Sequence, residues 1–283
     1  MVVTFQNTHT YEVAEDSKHI TADGAVYKAI EEELGRPVAI KQVSIAGDTP
    51  WEREANVTAA LREVQVMIRC RKVTKGIPVI YTTHYDEAAR QLYIVMEWID
   101  GKPLGDVMWT VSDRQFLIWM KELVEILQQL EQENVTHKDI KPDNLMILDN
   151  KLVLIDFNIS MSVANTVEGT PHYKAPEMDS DSKDRSRDKV DMFSIGVLLY
   201  EYFTHCLPKR GTEYTISWCK PNGWSTFVKP SDKKPGIPEI VEQIICTCME
   251  RKPRKRYANM SELKTKLGEA VNFYDPRRKK RDQ

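Results

Sequence analysis

The strongest constraint on the fold is a change of hydrophobic period about one third of the way along the chain. Over residues 1–99 the apolar residues fall in short runs rich in β-branched and aromatic side chains, at 11–14, 26–30, 38–43, 77–81 and 92–98. Strands favour such runs. Within this region, residues 51–69 place Val57, Ala60, Leu61, Val64, Met67 and Ile68 at helical recurrence. Asp100-Gly101-Lys102-Pro103 then forms a turn-forming break. Beyond it the period lengthens. Residues 113–133 carry Phe116, Trp119, Met120, Leu123, Leu127 and Leu130 on one stripe, and 190–204, 237–251 and 260–273 also read as helices. One hairpin interrupts them, with 145–148 and 152–155 flanking Asp149-Asn150-Lys151. Residues 205–236, with Trp218, Trp224 and several prolines, carry no readable element. The pattern predicts an α+β, bilobal chain: a small strand-rich N-lobe with one main helix over 1–99, a larger helical C-lobe over 100–274, and a basic tail over 275–283. A cleft between two lobes is a common ligand position.

Bulk properties narrow the function classes. The 283 residues are 41% hydrophobic and 29% charged, enough for one large core or two smaller ones. Forty basic and 42 acidic side chains give a net charge of −2, so no bulk field selects nucleic acid. Only Arg277-Arg278-Lys279-Lys280-Arg281 departs from this balance, and such runs are commonly solvated ends. Cys70, Cys206, Cys219, Cys246 and Cys248 are odd in number and form no CxxC pair, which argues against a zinc site or a disulfide framework. Reduced thiols in the cytoplasm are the simplest reading. No basic-then-apolar leader opens the chain, and the most apolar run, 193–199, is far short of the roughly 20 residues a membrane span needs. No internal repeat or low-complexity block is visible.

The chemistry concentrates in Thr136-His137-Lys138-Asp139-Ile140-Lys141-Pro142-Asp143-Asn144, just before the hairpin, and in Asp156-Phe157-Asn158 at its end. Transfer of a γ-phosphoryl group needs an acceptor for the hydroxyl proton, a cation on the transferring group and oxygen ligands for Mg²⁺. Asp139, Lys141 and the pair Asn144 and Asp156 supply these types in that order. Singly, each reads more readily as a cap, a turn or a surface charge.

With these residues the chain resembles the protein-kinase family over about residues 12–274. Val38-Ala39-Ile40-Lys41 matches the family's strand motif without change. The resemblance implies ATP and Mg²⁺ as cofactors and protein Ser/Thr hydroxyls as substrate. It implies that Lys41 holds the α- and β-phosphates and pairs with an acid on the N-lobe helix, Glu63 by its run-in to Gly76-Ile77-Pro78, or else Glu54. It makes Met96 the gatekeeper and sets the backbone of Glu97 and Ile99 against adenine, with Val26, Ala39 and Met146 on its faces. Asp139 becomes the catalytic base, with Lys141 and Thr170 meeting it as markers of the Ser/Thr type. Asn144 and Asp156 become the metal ligands. Gly169-Thr170-Pro171-His172-Tyr173-Lys174-Ala175-Pro176-Glu177 resembles the substrate-positioning segment, with Glu177 paired to Arg256 as a brace. Asp191 resembles the helix acid that bonds the catalytic-loop backbone, and His137 and Phe157 take supporting places.

Three departures stand out. Against the family's G-x-G-x-x-G-x-V, the chain has His19-Ile20-Thr21-Ala22-Asp23-Gly24-Ala25-Val26, so only Gly24 survives. Side chains there loosen the backbone's approach to phosphate, and Asp23 adds unfavourable charge, so weaker ATP binding or a reshaped roof is expected. Asn158 replaces the last residue of Asp-Phe-Gly, and Asn tolerates left-handed backbone. Lys138 replaces an Arg whose bidentate grip on a loop phosphate a Lys cannot copy; Ser160, Ser162 and Thr166 remain as candidate phosphorylation sites. Two alternatives follow. The missing glycines favour a nucleotide-binding scaffold without turnover, and the shared Asp and Asn admit a small-molecule kinase, which Lys141 and the 169–177 segment disfavour. The sequence is silent on oligomeric state.

Overall fold

The computed structural model describes residues 2–5, 9–14, 17–21, 24–156, 170, 172–178, 189–208 and 227–277. Phe157, Asn158, Ser160, Ser162, Thr166, Cys219 and most of the basic tail lie outside them. The described residues form two compact units, one up to Asp100 and one from Gly101.

The first unit is one antiparallel sheet with a helix. Its strands are β1 (Val2–Phe5), β2 (His9–Val13), β3 (His19–Thr21), β4 (Gly24–Glu31), β5 (Arg36–Ser44), β6 (Ile80–Asp86) and β7 (Gln91–Glu97). The order is β1-β2-β4-β5-β7-β6, with β2 and β3 pairing successive stretches of β4. Alternation places Tyr11, Val13, Ala29, Val38, Ile40 and Val95 in one buried cluster, walled by Tyr27, Tyr81 and Tyr93. The expected strand over 77–81 is corrected to Ile80–Asp86. Pro78 has no N–H to give a ladder, although Ile77 before it is buried. The strand then continues through polar Thr82, Thr83 and His84 on the sheet's edge.

Helix α1 (Pro50–Val73) outruns the predicted 51–69 at both ends. A capping box explains its start: Thr49 Oγ1 accepts from the Glu52 N–H at 3.3 Å, and Glu52 Oε2 accepts from the Thr49 N–H at 2.9 Å. Its buried side chains are Ala60, Val64, Met67 and Cys70.

The second unit is helical. After β8 (Lys102–Pro103) and the single turn α2 (Leu104–Val107) comes α3 (Asp113–Gln132), capped by the Ser112 hydroxyl accepting from the Gln115 N–H at 3.2 Å. Strands β9 (Leu145–Leu148) and β10 (Lys151–Leu154) form the predicted hairpin, and β8 adds to its free edge. Then follow α4 (Val190–Thr204), α5 (Pro230–Lys233), α6 (Glu239–Cys248) and α7 (Met260–Phe273). The expected helix over 237–251 shortens to α6 because Pro238 stands at its N-cap. Every residue of α4 except Glu201 is buried, so α4 is the axis of this unit. These elements bear out the α+β expectation. Among the described residues no helix is long and apolar enough to cross a membrane.

Four cysteines, Cys70, Cys206, Cys246 and Cys248, are free thiols. Burial pushes the Cys246 thiol up to about 11 and Cys248 higher still, which suits packing more than reactivity.

Two glycines are fixed by packing. At Gly24, φ is +153° and a β-carbon would stand 1.9 Å from the Gln42 carbonyl oxygen. At Gly196 in α4, a β-carbon would stand 2.6 Å from Met249 Cγ and 2.8 Å from Cys248 Cβ. Gly→Ala in a helix ordinarily stabilises by about 1 kcal/mol. Here Gly196→Ala is expected to lose about 1–3 kcal/mol, because α4 and the end of α6 must separate. Urea denaturation reads this as a lower midpoint; an unchanged or higher one contradicts so close a packing.

Candidate active site

In the second unit the segment between α3 and β9 is held by α4. The Asp191 carboxylate, buried near the start of α4, accepts from the His137 N–H at 2.8 Å and the Lys138 N–H at 2.7 Å. Between these anchors Lys138 adopts φ +70°, a left-handed conformation uncommon for a residue with a β-carbon. Burial pushes the Asp191 pKa up, against the pull of His137 and the two amides. His137 is fully enclosed, and burial lowers its pKa. A neutral imidazole fits its neighbours: Nε2 lies 3.3 Å from the Ile155 carbonyl, and Nδ1 accepts from the Asp139 N–H at 3.3 Å.

Four groups converge on Asp139. Its Oδ1 accepts from the Thr170 N–H and hydroxyl, both at 2.8 Å. Its Oδ2 lies 3.2 Å from Lys141 Nζ and accepts from Asn144 Nδ2 at 3.0 Å. Burial pushes the Asp139 pKa up, but the Lys141 ammonium and the hydrogen bonds from Thr170 and Lys141 outweigh it and hold the carboxyl below the ordinary aspartate value. Asp139 is therefore an ionised, oriented acceptor at neutral pH.

Asn144 is buried, and its amide nitrogen also donates to the Asp139 carbonyl at 2.8 Å, so the amide oxygen is the atom it could offer a metal. The Asn144 carbonyl accepts from the Ile155 N–H at 2.9 Å, so the loop is tied to the end of β10. Asp156 follows directly, half-buried, with φ +56°. Two hard oxygen donors of this kind suit Mg²⁺. Met146 lies in β9, opposite Pro103 of β8 and Val153 of β10.

Further along, Glu177 and Arg256 form a buried two-point pair, with Nη1 2.5 Å from Oε1 and Nη2 2.8 Å from Oε2. The same guanidinium donates to the carbonyls of Lys189 at 2.9 Å and Glu250 at 2.8 Å. One contact escaped the sequence reading: the Tyr173 hydroxyl donates to Glu201 Oε2 at 2.6 Å. Burial raises the pKa of both groups. The available signal was Glu201 itself, a lone acid late in an apolar helix.

In the first unit, strand register sets the site. Val26, Lys41 and Ile94 lie directly across from one another on β4, β5 and β7, and Lys28, Ala39 and Met96 form the next row on that face. Lys41 is 3% exposed. On α1, Glu63 is half-buried with Oε2 shielded from solvent, whereas Glu54 is exposed, so burial favours Glu63 as the acid facing the interior. The Glu97 N–H donates to the Val79 carbonyl at 2.8 Å, so of the Glu97 backbone only the carbonyl is a candidate to meet adenine. Ile99 is buried close to the end of the unit. Gly24 opens β4 opposite Val43.

The family model of the protein kinase domain matches residues 22–267, and the chain belongs to that family. It is 27% identical over 271 residues to a probable serine/threonine-protein kinase of Clostridium acetobutylicum, covering 92% of this chain and 40% of that protein. It is also 27% identical to the probable serine/threonine-protein kinase PknB of Bifidobacterium longum, covering 86% of this chain and 37% of that protein. The figures for the serine/threonine-protein kinase PknE of Mycobacterium tuberculosis are 27%, 85% and 42%. The chain thus spans about two-fifths of the length of these relatives.

Replacing one member of a buried ion pair leaves the other charge uncompensated. Arg256→Met is expected to cost about 3–5 kcal/mol in chemical denaturation. Adding Glu177→Gln should recover part of that loss, and a double variant as unstable as the sum of the two singles would show that the charges are not coupled.

Proposed function

We propose that this chain transfers the γ-phosphoryl group of Mg·ATP to Ser or Thr hydroxyls of proteins, with Asp139 orienting the hydroxyl. The observation that carries this reading is the constellation on Asp139: Thr170 on one carboxylate oxygen, Lys141 and Asn144 on the other. A carboxylate held below its ordinary pKa is a weak base, suited to aligning a hydroxyl and collecting its proton late. That matches a loose transition state in which positioning and charge stabilisation dominate. As the hydroxyl oxygen bonds to the γ-phosphorus and ADP departs, the proton passes to Asp139, and the Lys141 ammonium offsets charge on the transferring group.

The first unit supplies the nucleotide-holding residues in this reading. Lys41 binds the α- and β-phosphates with Glu63 as its partner acid. Val26, Ala39, Met96, the Glu97 carbonyl and Ile99 take adenine. Asn144 and Asp156 hold Mg²⁺, which neutralises charge on the phosphates when bound. Glu177, Arg256, Asp191 and His137 keep the loops in place. Free thiols fit a reducing compartment, and we place the domain in the cytoplasm.

A nucleotide-binding scaffold is the second reading, favoured by side chains where the roof has lost two glycines. One experiment separates them. With labelled Mg·ATP and a generic protein substrate, Asp139→Asn is expected to lower transfer by roughly 10²- to 10⁴-fold while nucleotide still binds. A native protein that binds nucleotide but transfers no more phosphate than this variant favours the scaffold. Transfer to small alcohols but not to proteins identifies a small-molecule kinase.

A further inference from the structure

The roof residue His19 stands where a glycine would leave only backbone, and the strand register assigns its side chain to a face. We infer that the His19 imidazole is a phosphate-contacting group of the nucleotide site, its ring N–H donating to a phosphate oxygen of Mg·ATP. This rests on the proposed nucleotide role of Lys41.

Register carries the argument. His19 of β3 lies opposite Val26 of β4, and Val26 lies opposite Lys41 of β5. Directly opposed residues of an antiparallel sheet project from the same face. His19 and Lys41 therefore share a face, two strand spacings or about 10 Å apart. The side chains between them confirm the alternation independently. Lys18, the neighbour of His19, lies over the Tyr27 ring at 5.8 Å, and the Tyr27 hydroxyl donates to Gln42 Oε1 at 3.0 Å. Lys18, Tyr27 and Gln42 thus occupy the opposite face, where Tyr27 walls the buried cluster. Ile20, also on that side, is 82% exposed.

The imidazole is exposed, and among the described residues no side-chain hydrogen bond or ion pair commits it. Its backbone is ordinary extended strand, so a β-carbon there is unstrained, unlike at Gly24. A flexible ammonium and a ring donor reaching from one face at this spacing flank a group the size of a triphosphate. The donor lost with a close backbone approach is thereby replaced by a side-chain donor.

Equilibrium binding of Mg·ATP and of adenosine to the native chain, His19→Ala and His19→Arg tests this, with thermal melting as the folding control. His19→Ala should weaken Mg·ATP by about five- to tenfold and leave adenosine unchanged. His19→Arg should bind Mg·ATP at least as tightly as the native chain. Mg·ATP bound equally or more tightly by His19→Ala, or an equal loss for adenosine, overturns the inference and leaves the kinase reading intact. A native chain that binds no Mg·ATP overturns both.

Discussion

The second unit depends on one buried carboxylate. Asp191 takes the N–H groups of two successive loop residues, so both amides share one buried acceptor. Hydrogen bonds to a charged acceptor contribute about 1.5–3 kcal/mol each. These bonds oppose the desolvation that raises the Asp191 pKa, and they hold Lys138 in its left-handed backbone. Because α4 is buried along nearly its whole length, the loop that carries Asp139 inherits the rigidity of the hydrophobic core. The positions of Asp139, Lys141 and Asn144 follow from that anchoring. Mutations deep in α4 should therefore be felt in the loop before they are felt at the surface.

The first unit solves a different problem. An ammonium at 3% exposure is costly unless an anion meets it. Lys41 sits on a strand paired on both sides, which fixes where its side chain starts. In the same sheet, alternation sends Lys41 and its row to one face and Tyr27, Ile40 and Val95 to the other, where they join the buried cluster.

Much of this was legible in the sequence, and the failures have physical causes. Helices α4 and α7 were read at their observed bounds because their apolar patterns are long and regular. The hairpin was read because turn residues separate two short apolar runs. Strands β1 and β3 were not read: each is only three or four residues long and is defined by its partner more than by its own composition. Strand β6 was misplaced because an edge strand need not alternate. Within the site, His137 to Asn144 are neighbours in sequence, so their contacts were accessible to local reasoning. The 54-residue separation of Asp191 and His137 was bridged only by resemblance. The Tyr173–Glu201 bond had no local signature beyond one acid in an apolar helix.

Gly24 separates two demands that motif matching treats as one. Its backbone and the Gln42 carbonyl leave no room for a side chain, so the sheet itself forbids any other residue there, whether or not a ligand ever binds. The neighbouring roof positions answer to no such veto, and they have acquired side chains. A tally of glycines in such a segment mixes an architectural necessity with a chemical convenience. For chains of this kind, the obligatory glycine reports only that the sheet has closed.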